Sequence, residues 1–118
     1  MVGKRGVRRL MAALLNSLRG LKICLQKEEA FRQELALLAI ATPLALYLGE
    51  TKVERILLIG SVALIPIFET LNSAVEAVVD LASPERHPLA GYAKDIASAS
   101  VLLAILLAPA VWGILLWR

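Results

Sequence analysis

The sequence predicts an all-α membrane protein, an amphipathic surface helix followed by three transmembrane helices in a single domain, residues 1–118. Three observations carry that expectation. Hydrophobic residues make up 58% of the 118 and charged residues only 19%, against roughly 25% charged in soluble domains. The mean hydropathy is +0.71, and a chain this short has too much surface for its volume to hide that excess inside a globule. The apolar residues also gather into three long runs separated by short polar stretches, with a basic segment ahead of them.

The first element is expected over about 6–27, "GVRRLMAALLNSLRGLKICLQK", where Val7, Leu10, Met11, Leu14, Leu15, Leu18, Leu21 and Leu25 recur at helical spacing. Arg8, Arg9, Asn16, Arg19, Lys22 and Gln26 occupy much of the remainder, so the helix is too polar to span and suits the membrane interface. With Lys4, Arg5, Lys27 and Arg32, its cations form a cluster that favours an anionic bilayer surface. Nucleic acid is not the expected partner, because the cations alternate with Leu, Met, Ala and Ile and not with base-stacking aromatics. No removable signal peptide is expected.

The first span is expected over about 30–49. "LALLAIATPLALYLG" is short for a bilayer core that asks for about 20 residues, and Ala30 and Phe31 extend it backwards. Pro43 should kink it. "ETKVER", 50–55, is a polar connection to a second span over about 56–81. "SPERHPLAG", with two prolines and a glycine, reads as a loop. The third span, about 96–117, carries Pro109, and its Trp112 and Trp117 suit interface anchoring. The basic excess ahead of the first span places the N-terminus and the 82–95 loop in the cytoplasm, with 50–55 and Arg118 outside. Cys24 and His87 are each the only residue of their kind, which excludes an intrachain disulfide and a multi-histidine zinc site.

Within the second span, "IFETLNSAVEAVVD" is too polar for its surroundings. At about 100° per residue, Glu69, Asn72, Glu76 and Asp80 fall within a sector of about 80°, and Ile67, Leu71, Ala74 and Val78 cover the opposite side. An acid at the bilayer centre costs at least about 2.5–3.5 kcal/mol and ordinarily marks substrate or ion chemistry. The plainer alternative is that Asn72 and the acids join helices by hydrogen bonds. Glu28 and Glu29 open the first span, and Lys94 and Asp95 precede the third, all at the same membrane face. Carboxylates converging with a lysine suit Mg²⁺ and a polyphosphate, although an Asp at a helix start also favours the helix dipole by itself. No glycine-rich phosphate loop occurs.

"EEAFRQE" (28–34), "ETLNSAVEAVVD" (69–80) and "GYAKDIASA" (91–99) together resemble the prokaryotic diacylglycerol kinase family, in order and over nearly the whole chain. The resemblance implies a homotrimeric inner-membrane enzyme that transfers the γ-phosphoryl group of ATP to diacylglycerol, yielding phosphatidic acid, with Mg²⁺ as cofactor. It implies Glu69 as catalytic base, and Glu28 and Glu76 as ligands of the metal on ATP; "FRQE" anchors Glu28 rather than Glu29 in that role. Arg9, Lys94 and Asp95 would contact the nucleotide, as would Glu85, Arg86 and His87. Asn16 joins that set, although it stands where relatives carry a tyrosine, as does Arg86. Asp80 is added from the polar stripe. Lipid-facing positions would be Ala30, Phe31, Arg32, Gln33, Glu34, Arg55 and Ser98, with Trp112 and Trp117. Asn72 is placed to orient Glu69. Two alternatives stay open: undecaprenol as the acceptor within the same family, and a small channel or membrane assembly subunit without enzymatic activity.

Overall fold

The computed structural model describes residues 2–118, with side chains from residue 5 onward, so the Lys4 side chain of the expected basic cluster lies outside the described set. Four helices follow one another: α1 (Val2–Lys27), α2 (Glu29–Leu48), α3 (Lys52–Ala82) and α4 (Pro88–Leu116). The last three are long and apolar enough to cross a membrane.

The joints explain the helix limits. Glu28 alone separates α1 from α2 in an extended conformation. Its N–H closes the last turn of α1 on the Cys24 carbonyl at 2.9 Å, and its own carbonyl accepts from Arg32 N at 3.2 Å. The Arg32 guanidinium donates back to Leu25 O at 2.9 Å and Gln26 O at 3.2 Å, satisfying carbonyls that a helix end leaves free. The α2–α3 turn is tighter than the expected polar connection over 50–55. Thr51 accepts from Glu54 N at 3.1 Å, so α3 starts at Lys52 and not near 56. Gly49 has to be glycine here, since a Cβ would lie 2.6 Å from Arg55 Cγ. Arg55 Nε in turn donates to Gly49 O at 3.1 Å. At the other end, His87 Nδ1 accepts from Leu89 N at 3.1 Å and Pro88 occupies the first turn, starting α4 inside the expected loop. Pro43, Pro66 and Pro109 each sit inside a helix that continues past them.

The core is built from small and branched residues: Ala41, Val62, Ile65, Ala104 and Ala108, flanked by Leu38, Leu64, Phe68 and Trp112. Small residues let backbones approach, which matters where lipid tails remove the hydrophobic drive between helices. Trp112 Nε1 donates to Leu58 O at 2.9 Å, tying α4 to α3. Larger apolar side chains such as Ile40, Leu44, Leu102 and Leu106 face outward. The turn at the far end is closed by Arg118, which bonds Glu54 at 2.7 Å and also pairs with Glu50.

The molecule measures 51 × 48 × 24 Å. Three helices packed about 8–10 Å apart account for one long and one short dimension, and α3 alone is about 46 Å at 1.5 Å per residue. The second long dimension requires α1 to run outward from the bundle. Most of its apolar residues, Leu10, Leu14 and Leu18 among them, stay more than half exposed.

Candidate active site

The polar face of α3 is buried at Glu69 and Asn72 and exposed at Glu76 and Asp80. Glu69 is 8% exposed and Asn72 9%, whereas Ile67, Leu71 and Val78 on the opposite side are 52–64% exposed. A buried carboxylate on a long apolar helix needs partners or a function. Glu69 has both Glu28 and Glu76 within electrostatic reach. Glu34, on the second turn of α2, also faces Glu69. Glu28 at the α1–α2 joint, Glu34 on α2 and Glu76 on α3 are thus each within electrostatic reach of Glu69.

Asn72 turns toward Glu76, not Glu69: its Nδ2 donates to Glu76 Oε1 at 3.1 Å. Its Oδ1 is buried without a partner, as is Glu34 Oε1. Two buried acceptors left unpaired beside one carboxylate cluster are costly and suit a ligand that brings donors.

Two cavities open at this end. The first, about 650 Å³, lies between α1 and α3 and is lined by Ser17, Gly20, Cys24, Lys27 and Glu28 opposite Thr70, Ser73 and Ala77. The second, about 540 Å³, sits at the α3–α4 turn among Asp80, Ser83, Glu85, Arg86, His87 and Lys94. Lys94 Nζ meets Asp80 Oδ1 at 2.5 Å. A smaller space of about 350 Å³ between α2, α3 and α4 is lined by Ala30, Gln33, Glu34, Leu37, Ile65, Ile105, Ala108 and Pro109.

The residues expected at the nucleotide are therefore divided. Glu28 lines the α1–α3 cavity; Asp80, Glu85, Arg86, His87 and Lys94 line the turn cavity. Arg9 and Asn16 lie on exposed faces of α1, with Asn16 Oδ1 accepting from Arg19 at 3.0 Å, and Asp95 is exposed beside Lys94. Among the positions expected to face lipid, Phe31 is 2% exposed and packs inward. Arg32 and Arg55 are engaged in capping the ends of α1 and α2. Trp112 is held by its bond to Leu58, Trp117 is open, and Ser98 lies on an exposed face of α4. Ser17, Gly20, Cys24 and Lys27 are cavity residues outside the set that the sequence singles out for the site. Their spacing along one side of α1, facing small residues at 70, 73 and 77, is the signal that identifies this wall.

The family model for prokaryotic diacylglycerol kinase matches residues 15–116. The chain belongs to the prokaryotic diacylglycerol kinase family. The family's relatives agree with it over nearly their full length. A diacylglycerol kinase of Haemophilus influenzae is 50% identical over 108 residues, 92% of each chain. One from Escherichia coli K12 is 46% identical over 112 residues, 95% of this chain and 92% of that one. A third, from Pseudomonas aeruginosa, is 40% identical over 114 residues, covering 97% and 93%. For a prokaryotic diacylglycerol kinase, the converging carboxylates and the two cavities at one bundle end are the places to look for its chemistry.

Proposed function

We infer that this chain is an ATP-dependent lipid kinase whose acceptor is diacylglycerol and whose product is phosphatidic acid. The observation that carries the site reading is Glu69: buried on a membrane helix, at the bundle end where Glu28 and Glu76 approach it.

Glu69 acts as general base. Its carboxylate takes the proton from the lipid hydroxyl, the hydroxyl oxygen attacks the γ-phosphorus, and the bond to the β–γ bridging oxygen breaks as ADP leaves. Phosphoryl transfer asks a protein mainly for positioning and charge neutralisation, which suits a site made of fixed carboxylates and one lysine. Glu76 lies about 10 Å along the helix axis from Glu69 at 1.5 Å per residue. That separation lets the acceptor meet one end of the face while the nucleotide meets the other. Asn72, between them, holds Glu76 by its amide. Lys94 supplies positive charge to the polyphosphate, and Arg9, Asn16, Asp95 and the 85–87 turn complete the nucleotide's surroundings. Glu34 and the space it lines receive the lipid's polar end, with Ala30 to Gln33, Arg55, Ser98, Trp112 and Trp117 toward the acyl region.

Among the described residues, no group of three or more His, Cys, Asp or Glu forms a ready-made metal cage. Mg²⁺ is not ordinarily held that way: it takes one or two carboxylates, with phosphate oxygens and waters completing its shell. Glu28 and Glu76, both within electrostatic reach of Glu69, fit that donor set, and Mg²⁺ bound there would neutralise the developing charge on the phosphates. The enzyme works as a homotrimer in the inner membrane, with α1 on the cytoplasmic surface. Support for this comes from the family resemblance and from the cations of α1.

Purified protein in mixed micelles, given radiolabelled ATP and either diacylglycerol or undecaprenol, tests the substrate. Label in phosphatidic acid is expected. Label in undecaprenyl phosphate alone would replace the acceptor, and ion flux without ATP consumption would replace the whole reading with a pore. The Glu69→Gln variant should remain folded and lose activity by at least about 10²–10⁴-fold, the usual contribution of a general base. Retained turnover would remove Glu69 from that role.

A further inference from the structure

Lys94 stands on the second turn of α4 with its ammonium 2.5 Å from Asp80 on the last turn of α3. Glu76, one turn earlier on the same face of α3, is also within electrostatic reach of Lys94. The ammonium thus has two acidic neighbours about 6 Å apart along one helix, at 1.5 Å per residue, and it is bonded to the outer one. Glu76 is instead joined to Asn72. The Lys94 and Asp80 side chains are 42% and 65% exposed, and an ion pair that open contributes little to folding. Its effect is on position.

We propose that Asp80 is a positioning residue, one that keeps Lys94 away from Glu76 and so leaves the Glu76 carboxylate free for the cation carried by the nucleotide. This rests on the reading of Glu76 and Lys94 given above. Lysine is a flexible point charge that takes whichever anion is nearest. Without Asp80, the next anion within reach is Glu76. The ammonium would then compete with Mg²⁺ for that carboxylate and would no longer stand in the turn cavity that Asp80 and Lys94 line together with Glu85 and His87. Asp80 therefore acts through Lys94 and needs no contact with the nucleotide.

The test is a double-mutant cycle read by binding as well as turnover. Mn²⁺ binding in the presence of a non-hydrolysable ATP analogue is followed by electron paramagnetic resonance on the full-length protein in micelles. Wild type is compared with Asp80→Ala, Asp80→Glu, Lys94→Ala and the Asp80→Ala/Lys94→Ala pair. Asp80→Ala is expected to weaken Mn²⁺ binding on the order of tenfold, equivalent to about 1.4 kcal/mol. Its KM for Mg-ATP should rise while the KM for lipid does not move. Asp80→Glu should restore most of the binding. In the pair, removing Asp80 should add no loss to that of Lys94→Ala, because the competing ammonium is gone. Unchanged Mn²⁺ binding in Asp80→Ala, or losses that add in the pair, would overturn the positioning role while leaving the nucleotide site intact. Unchanged nucleotide-dependent binding in Lys94→Ala would overturn the site reading and this inference together.

Discussion

Glu28 does two things with different atoms. Its backbone is the whole joint between α1 and α2, and its side chain makes no cap, which leaves the carboxylate available to the α1–α3 cavity. Cys24 lies one turn before it in that cavity. Burial first, then the Glu28 and Glu69 carboxylates, push its thiol above the ordinary value of 9.0, so the thiol stays protonated at neutral pH and reacts slowly. Alkylation by iodoacetamide should therefore be slower than for a free cysteine at pH 7–8 and should accelerate as pH rises. In Glu28→Gln, one source of negative charge is gone, the thiol should ionise at lower pH, and the rate at fixed pH should increase; an unchanged rate would detach Glu28 from Cys24. Asn72 shows what residue patterns leave undecided. Glu69 and Glu76 are its neighbours three and four positions away on one helix face, and spacing permits either as partner. The rotamer chosen in the packed bundle selects Glu76.

At the level of helices, capping accounts for the limits that hydropathy misplaces. Hydropathy sees "ETKVER" and "SPERHPLAG" as polar and extends the loops, but polar residues are what begin helices in water at a membrane surface. Thr51 and His87 each accept from a backbone N–H in the first turn that follows. Thr51→Ala should cost about 1 kcal/mol, within a range of about 0.5–2, measured as reduced unfolding free energy in detergent. No change would mean that Glu54 or the Arg118 contacts hold the turn without the cap. The helical period of α1 is readable because Leu10, Leu14, Leu18, Leu21 and Leu25 recur at helical spacing among cations. The end of α2 and the start of α3 and α4 are less so, since each borders a short turn whose geometry depends on the neighbouring helix.

Across the whole molecule, the coupling of α3 to α4 rests on Ala104 and Ala108 against Val62 and Ile65, and on the bond from Trp112 to Leu58. Trp112 suited an interface anchor by its place near the chain end, yet its indole N–H points into the bundle. Trp112→Phe keeps most of the packing and removes that donor. It should lower stability by roughly 0.6–1.5 kcal/mol, seen as an earlier thermal transition in micelles, with the effect lost if the N–H is instead satisfied by water. Hydropathy has no means of separating the sides of a spanning helix, because lipid and bundle core are both apolar. Ala41, Ala45, Ala104 and Ala108 are buried while Leu37, Ile40 and Leu106 are not, and only the packing of the helices separates these sides.

By itself, the sequence determined that the chain is helical and apolar enough to cross a membrane three times, that its acids share one helix face, and which family it resembles. Each follows from composition or from a period of 3.6 residues, both properties of a single strand of text. Only the tertiary structure decided that Glu28 and Glu34 come within electrostatic reach of Glu69, that Asp80 takes Lys94, and that the expected nucleotide residues divide between two cavities. Those outcomes depend on which faces of separate helices are brought together. Packing sets that, through residues whose polarity is the same whether they face protein or lipid.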